Sequence, residues 1–191
     1  NLVDHAATLK DLYREYAKEF RGEDTRCPVN CRGGLAYQQY FLEKEPPVLF
    51  FRLLRFKHRA DFSGLDRINN EITIPDQIDF LRSGLYQLAA VIMHHGSGIY
   101  NGHYTTLCWE GARDGINRYR WYNDADVSPA MTWPQAMGRR FWGSSIGGGA
   151  YILCYVRAKF WDDSVGDGSE SVPYLRDVRS EEVAASFFRG R

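Results

Sequence analysis

One stretch, from Ala89 to Leu107, constrains the fold of this chain more than any other. An apolar run over residues 85–93 meets two adjacent histidines, then a glycine-rich loop, then a segment that opens with Gly102-His103-Tyr104. This pattern predicts a buried strand, a loop and a second strand. It places the imidazole of His103 at the mouth of a strand beside a loop, a setting that suits acid–base chemistry.

The residues after His103 predict an antiparallel hairpin. Residues 103–110 and 118–123 have the character of strands, and turn residues lie between them. The start of the first strand then faces the end of the second, where Asn123 and Asp124 lie. An imidazole beside an amide or carboxylate is the pair that orients a general base, with the Nδ1–H of the ring as donor. A hydrogen-bonded histidine with a purely structural role fits the same spacing equally well.

Composition narrows the class of protein. A hydrophobic content of 44% and an aromatic content of 15% in 191 residues predict a folded domain with a core. The 24 basic and 24 acidic residues cancel, so we expect neither a nucleic-acid nor a membrane partner. Four cysteines, two of them in apolar strand-like runs, favour a reducing compartment over a disulfide framework. Because the chain begins with Asn1, we expect it to start within a longer protein.

Further elements flank the histidine segment. Residues 8–20 are predicted to form an amphipathic helix that begins with a capping pair, Thr8 and Asp11. The run 48–56 is too apolar for an edge and is predicted to be a central strand. The basic cluster over 55–59 is expected to be a solvated strand end rather than a phosphate site. The other predicted elements are strands over 34–42, 71–74, 85–93 and 150–160, a short helix over 132–138 and a terminal helix over 180–188.

Metal binding has weak support in the residues alone. Cys27 and Cys31 lie close together in a turn, but a closed structural zinc site needs four ligands. Cys108 and Cys154 lie in predicted core strands and are poor candidates for the other two. A histidine set is also disfavoured, because adjacent side chains such as His94 and His95 point to opposite faces of a strand.

Several motifs, in this order, resemble the C-terminal half of the catalytic domain of the ubiquitin-specific proteases, the papain-like cysteine deubiquitinases. The likeness runs over roughly residues 8–160 and includes several independent motifs, which makes it specific. The matching motifs are Pro47-Val48-Leu49 with Leu54-Arg55-Phe56, the short strand 72–75, the histidine box His94-His95-Gly96 with Gly102-His103-Tyr104, then Tyr122-Asn123-Asp124 with Val127, and Ala150-Tyr151-Ile152-Leu153-Cys154-Tyr155.

The resemblance implies an α+β fold of the papain-like cysteine peptidase type, with a central, mostly antiparallel sheet. Residues 46–160 would form the palm and residues 1–45 a remnant of the fingers, and the helical thumb is missing. Residues 161–191 lie beyond the likeness and are expected to be a polar linker with a terminal helix.

The resemblance also implies roles for individual residues. His103 would be the general base that activates a cysteine, Asn123 the third member of the triad, and Asp124 a supporting residue that competes for the orienting role. Residues 96–102 would be the blocking loop beside the channel for the C-terminal tail of ubiquitin. Implied substrate-binding residues are His94, Gly96, Ser97, Gly102 and Tyr104.

Departures from the family pattern leave two interpretations open. The nucleophilic cysteine and its box are absent, and Cys27 and Cys31 match only half of the family's structural zinc site, with three intervening residues where two are usual. The resemblance implies that catalysis itself needs no cofactor. Either the rest of the domain lies outside this chain, which the retained His103 and Asn123 favour, or the protein is a catalytically inactive ubiquitin-binding or scaffold module.

Partners follow from the same resemblance. We expect ubiquitin or a ubiquitin-like modifier and its conjugates as partners. We expect the protein itself to act in the cytoplasm or nucleus. Without the thumb, we also expect an exposed apolar face that the N-terminal half of the domain or a partner protein covers.

Overall fold

The computed structural model of the chain describes residues 7–18, 20–22, 36–40, 42–81, 84–98, 101–138 and 149–158. In chain order, its elements are β1 (Ala7–Thr8), α1 (Leu9–Tyr16), β2 (Phe20–Gly22), β3 (Ala36–Gln38), β4 (Val48–Arg52), β5 (Phe56–His58), β6 (Leu65–Arg67), β7 (Ile72–Thr73), β8 (Gln77–Ile78), β9 (Tyr86–His95), β10 (His103–Arg113), β11 (Ile116–Asn123), β12 (Asp126–Val127), β13 (Met131–Thr132), α2 (Trp133–Met137) and β14 (Ala150–Arg157).

An eight-stranded sheet organises the described part of the chain. Its strand order is β12-β11-β10-β9-β14-β4, with β13 beside β11 and β8 beside β9. The pairings in this sheet are antiparallel, and three two-stranded pairs, β1–β7, β2–β3 and β5–β6, stand apart from it. The predicted α+β class with a mostly antiparallel central sheet is confirmed.

The β10–β11 hairpin closes through two residues whose backbone has positive φ. Asp114 has φ 53° and Gly115 has φ 71°, which is the combination that a two-residue type I′ turn requires. The register shifts between Trp109 and Ala112, and Gly111 lies in this bulge with φ 102°. The turn and the bulge together set which residues of the two strands face each other.

The core lies on one face of the sheet. Leu107 pairs with Val91, which in turn pairs with Leu153, and all three are fully buried. Over this face, α2 packs the ring of Trp133 against Tyr119 at 5.0 Å between centroids. Fully burying such side chains stabilises the fold by about 2 kcal/mol each, so this layer holds the hairpin rigidly in place.

The first helix begins as predicted and ends early. The Thr8 hydroxyl accepts a hydrogen bond from the Asp11 N–H at 3.1 Å, which caps α1. The predicted extension to Phe20 is wrong, because α1 ends at Tyr16 and Phe20 pairs with Gln38 in a small antiparallel ladder. Pairing with a distant segment outweighs the helical spacing of the apolar residues there.

The prediction of a central strand over residues 48–56 is also wrong. Strand β4 ends at Arg52 and lies at the edge of the large sheet, next to β14. Its residues alternate, with Leu49 buried and Phe50 52% exposed. Phe51 packs edge-on against Tyr13 of α1 and Tyr155 of β14. The helix thus covers one face of an apolar edge strand and leaves the other face open.

The basic cluster that follows β4 is divided between core and solvent. Arg55 is buried, with its guanidinium donating to the carbonyl oxygens of Ala150 at 3.0 Å and Asn70 at 2.8 Å. Arg59 is exposed and pairs with Asp66 at 2.8 Å. The expectation of a solvated strand end therefore fails for Arg55, because carbonyl groups from separate segments of the backbone converge on it and take its donors.

Strand β9 extends two residues beyond the predicted C-terminal end at Met93 and so includes His94 and His95. The predicted strand over 150–160 begins as expected at Ala150. Thr132, the first residue of the short helix predicted over 132–138, is its N-cap and forms a full capping box with Gln135. No helix within the described ranges is long and apolar enough to cross a bilayer. The predicted terminal helix over 180–188 lies outside the described residues.

Candidate active site

His103 and Asn123 lie against each other at one end of the hairpin. His103 is the first residue of β10 and Asn123 the last of β11. The Nε2–H of His103 donates a hydrogen bond to Oδ1 of Asn123. The side chain of His103 is 46% exposed, so the imidazole remains open to a reacting group while the neighbouring strand orients it.

Asp124 lies near the same imidazole, in the turn that follows β11. Its Oδ2 lies 3.8 Å from Nε2 of His103, and its side chain is 82% exposed. The residue has φ 50°, a left-handed conformation that aspartate adopts more readily than most residues. The carboxylate is thus beyond direct hydrogen-bond range, and Asn123 holds the ring.

The contact with Asn123 corrects the expectation about which ring nitrogen is oriented. The sequence led us to expect the orienting hydrogen bond at Nδ1–H, but the hairpin geometry brings Nε2 to the amide. Nδ1 has no hydrogen-bond partner within the part of the chain that the structure describes. With the proton on Nε2, the lone pair of Nδ1 is available to accept a proton.

A second imidazole, His95, lies across the strands from His103. The two residues pair in register between β9 and β10, and their rings are 6.5 Å apart. His95 Nε2 is 2.9 Å from the Thr105 hydroxyl. Burial, followed by the charge of His103, lowers the pKa of His95. His95 was not among the residues expected in the site, although the strand register was the signal that could have found it.

His94 occupies the opposite face of the strand and is 4% exposed. Its ring contacts Tyr104 at 4.9 Å between centroids, the residue with which it pairs in register. Burial, and then the charge of Arg67, lower the pKa of His94, while a backbone hydrogen bond at Asn101 acts in the opposite direction. The opposed orientation of His94 and His95 is the one expected for adjacent strand residues.

Gly102 lies so close to His94 that no side chain fits there. A Cβ at this position would be 2.3 Å from His94 Nε2 and 2.6 Å from the His95 carbonyl oxygen. Its φ of +154° also favours glycine. The backbone of Gly102 therefore packs directly on the buried imidazole, one residue before His103.

The remaining expected substrate-binding residues lie around the same loop. Gly96 has φ +147° and directly follows β9, and Ser97 beside it is exposed. Tyr104 is 54% exposed and covers His94. Gly96, Ser97, Gly102 and Tyr104 thus form one accessible rim, whereas His94 lies beneath it. Residues 99–100 within this loop lie outside the described residues.

Arg67 is a residue of this region that sequence reasoning missed. From β6 it donates to the carbonyl oxygen of His94 at 2.6 Å and to Nδ1 of the same residue at 3.1 Å. No local pattern distinguishes Arg67 from the other basic residues around it, so only the fold could identify it.

Neither described cysteine is placed to act with His103. Cys108 is five residues further along β10 and therefore points to the opposite face of the sheet. Burial, and then Glu110, raise the pKa of the Cys108 thiol, and burial raises the pKa of Cys154 to about 11. Both are thus poor nucleophiles. Cys27 and Cys31 lie outside the described residues, and no group of three or more metal-ligating side chains occurs within the described ranges.

Two solved structures resemble the fold of this chain. A structure of the yeast SAGA DUBm with an Sgf73 mutant aligns with a TM-score of 0.58 and 22% identity, covering 79% of this chain and 34% of the other. A structure of the SAGA Ubp8/Sgf11/Sus1/Sgf73 DUB module aligns with a TM-score of 0.55 and 22% identity, covering 79% of this chain and 35% of the other.

Curated relatives share its sequence over a limited part of their length. The ubiquitin carboxyl-terminal hydrolase creB of Emericella nidulans is 26% identical over 166 residues, which is 81% of this chain and 21% of that protein. Mouse ubiquitin carboxyl-terminal hydrolase 3 is 30% identical over 135 residues, or 62% of this chain and 22% of that protein. The chain spans about a fifth of the length of these relatives.

A family model described as ubiquitin carboxyl-terminal hydrolase matches residues 10–155. That range includes most of α1, the large sheet and both ends of the hairpin that hold His103 and Asn123. Since the match takes in most of the chain together with the oriented imidazole, the chain belongs to the ubiquitin carboxyl-terminal hydrolase family.

Proposed function

We propose that this chain supplies the general base and its orienting residue to a cysteine protease that hydrolyses the bond after the C-terminal glycine of ubiquitin or a similar modifier. The observation that supports the proposal most directly is the hydrogen bond from His103 Nε2–H to Asn123, which leaves Nδ1 as an exposed acceptor. The nucleophilic cysteine belongs to a part of the domain outside these 191 residues.

The chemistry runs through Nδ1 of His103. This nitrogen takes the proton of the cysteine thiol, and the thiolate attacks the carbonyl carbon of the last glycine of the tail. The carbon–nitrogen bond breaks, the proton passes from the imidazolium to the leaving amine, and a thioester remains. Water then attacks the thioester, with the same nitrogen accepting its proton; the carbon–sulfur bond breaks, the departing thiolate takes that proton from the imidazolium, and the free carboxylate is released. Asn123, with Asp124 beside it, keeps the ring oriented during both the acylation and the deacylation step.

The test uses the full-length gene product that carries this segment and a ubiquitin whose C-terminal carboxyl is joined to a fluorogenic amine. His103→Ala should lower kcat/KM by about 10³-fold or more, because the base is lost. His58→Ala, at an exposed histidine of β5, is the matched control and should cleave at the wild-type rate. A protein that binds ubiquitin and cleaves it equally well with His103→Ala would refute the assignment.

A non-catalytic ubiquitin-binding module is the second candidate. Its supporting observation is that Cys108 and Cys154 are both turned away from His103 and held as thiols by burial, which raises the pKa of each. This alternative predicts that the full-length protein binds ubiquitin, measured by calorimetry, without any turnover of the fluorogenic conjugate. The first candidate predicts both binding and turnover, so the pair of measurements separates them.

The proposal extends to the partner that covers the exposed apolar face. A groove between α1 and β4 is lined by apolar side chains, of which Tyr16 is 62%, Phe50 52% and Leu54 72% exposed. Exposed apolar surface of this kind marks an interface. We assign this groove to the N-terminal half of the same protease domain as its binding partner. For the proposed activity we expect a location in the cytoplasm or nucleus.

Binding in trans tests this assignment. An N-terminal half expressed separately should bind the present chain, and Leu54→Glu should weaken that binding at least about tenfold by placing a charge in the groove. Ile116→Glu changes a 47% exposed residue at the far end of the hairpin and should leave binding unchanged. Equal effects of the two substitutions would exclude the groove as the binding site of the N-terminal half.

A further inference from the structure

The loop that follows β9 has a narrow base, where its two ends touch. A Cβ on Gly96 would lie 2.9 Å from the carbonyl oxygen of Asn101 and 2.9 Å from the Cα of Gly102. We call Gly96, Asn101 and Gly102 the neck of the loop. Backbone therefore packs on backbone at the neck, and any change in its geometry moves the residue before His103.

One guanidinium group, that of Arg67, holds the neck from outside. Nη2 donates to the carbonyl oxygen of His94 at 2.6 Å, and Nη1 donates to His94 Nδ1 at 3.1 Å and to the carbonyl oxygen of Gly96. Nε donates to the Asn69 side chain at 2.7 Å, which fixes the plane of the group. Each nitrogen of the guanidinium thus has an acceptor, and the two Nη atoms bind at the entrance of the neck.

These contacts join two separate parts of the fold. Arg67 ends β6, which pairs with β5 in a two-stranded sheet of its own, whereas His94 belongs to the large sheet and Gly96 follows its last residue. Because Gly96 lies beyond the end of β9, its carbonyl group is outside the ladder of the large sheet. Arg67 donates a hydrogen bond to this backbone acceptor from a different sheet.

The role of Arg67 is not that of an ion-pair partner. Among the residues that the structure describes, no carboxylate lies within salt-bridge range of its guanidinium, and burial lowers its pKa. Its acceptors around the neck are two carbonyl oxygens and a neutral ring nitrogen. Hydrogen bonds from a charged donor to such acceptors are about twice as strong as neutral ones, so the charge serves to hold the backbone.

The geometry points to Arg67 as a positioning residue: through His94 and Gly96 it holds the neck, and with it Gly102, in the place that lets an extended substrate tail pass beside His103. The inference rests on the proposed hydrolysis of ubiquitin conjugates. It adds a residue that touches neither substrate nor the reacting atoms and acts through the backbone of the loop. The substrate tail is bound equally in the ground state and in the transition state. Loss of Arg67 should therefore affect KM more than kcat.

Kinetics of the full-length gene product on the fluorogenic ubiquitin amide test this split. Arg67→Gln should raise KM about tenfold, with kcat within about twofold of wild type. Arg67→Lys keeps the charge without the fork of donors, and its KM should lie between those of wild type and Arg67→Gln. Arg59→Gln removes an exposed cation from the segment between β5 and β6 and should match wild type. An unchanged KM in Arg67→Gln overturns the inference.

Amide hydrogen exchange provides a readout that does not depend on activity. Arg67→Gln should speed exchange at the amides of residues 96–98 and 101–103 about tenfold relative to Arg59→Gln, with the centre of β9 and β10 unchanged. Exchange that rises across the whole sheet would indicate a merely structural role and overturns the proposal, as does exchange that rises nowhere. If wild type neither binds nor cleaves ubiquitin, the proposed function fails, and the exchange result alone still decides whether Arg67 holds the neck.

Discussion

At the scale of single residues, one hydrogen bond decides which nitrogen of His103 is available for chemistry. Asn123 accepts from Nε2–H and so leaves Nδ1 with its lone pair. An amide is well suited to this task because it remains neutral and its oxygen can only accept. Asp124 lies 3.8 Å from the same nitrogen with its side chain 82% exposed, so Asn123 makes the direct contact.

Substitution of Asn123 should separate orientation from charge. Asn123→Ala should lower kcat of the full-length gene product about 10²-fold or more, because the ring loses its partner and the proton on Nε2 is no longer fixed. Asn123→Asp keeps an acceptor oxygen at the same place and should retain most of the activity. Steady-state kinetics on the fluorogenic ubiquitin amide measure both, and equal losses in the two variants would contradict the orienting role.

His94 should make the stability of the fold depend on pH. Burial lowers its pKa below the ordinary value of 6.5, so the unfolded chain binds a proton more readily than the folded one. The free energy of unfolding should therefore fall as the pH drops below about 6.5 and through the pKa of the folded state. Above about pH 6.5, the free energy of unfolding should return to its full value.

The comparison variant for this prediction is His94→Gln, which cannot titrate. The gap in unfolding free energy between wild type and His94→Gln should narrow as the pH falls from about 7.5 to about 5, a range that spans the ordinary pKa of histidine. Urea denaturation followed by circular dichroism measures this gap. A gap that widens on acidification would show that His94 is charged in the folded protein.

At the scale of elements, the start of β10 depends on close backbone packing rather than on strand propensity. Gly102 stands against His94 Nε2 and the carbonyl oxygen of His95, both of which belong to the end of β9. The two strands and the neck of the loop thus form one unit around the buried imidazole. This unit is why His103 begins a strand instead of lying within a free loop.

Gly102→Ala should test this packing against a matched glycine. Its Cβ would come within 2.3 Å of His94, and we expect a loss of about 3 kcal/mol in unfolding free energy. Gly111→Ala meets nothing within 4 Å at φ +102° and should lose only the backbone cost, about 1 kcal/mol. Denaturant titrations give both values, and equal losses would mean that backbone strain alone makes Gly102 necessary.

At the scale of the whole molecule, Arg55 joins parts that are distant in sequence. Its guanidinium donates to the carbonyl oxygens of Ala150, Ile68 and Asn70 and is 3% exposed. Burial, followed by the charge of Arg67, lowers the pKa of Arg55 to about 10, so the group stays charged at neutral pH. It connects β14 with the segment between β6 and β7.

Loss of Arg55 should therefore be costly. Arg55→Met keeps much of the volume and leaves buried carbonyl groups without this donor, so the free energy of unfolding should fall by about 3 kcal/mol or more. Arg59→Met removes an exposed cation of the same cluster, whose ion pair with Asp66 contributes about 0.5 kcal/mol. Thermal and urea unfolding compare the two, and similar losses would contradict the role of Arg55 as a buried connector.

Local pattern was sufficient for the antiparallel hairpin, the caps at Thr8 and Thr132 and the meeting of His103 with Asn123. Each of these depends on neighbours in sequence: alternation fixes the faces, turn residues fix the register, and a strand pair brings its two ends together. The resemblance to a known family added the α+β fold, which no periodicity could have supplied.

Only the tertiary structure decided the edge position of β4, the early end of α1, and the roles of Arg55 and Arg67. These outcomes depend on contacts between segments far apart in the chain, whose strength no local pattern encodes. The same reason explains the choice of Nε2 over Nδ1 in His103, since the side-chain rotamer that reaches Asn123 follows from how two strands are twisted and staggered. Sequence thus predicted which residues meet at the candidate site, and packing determined the geometry in which they meet.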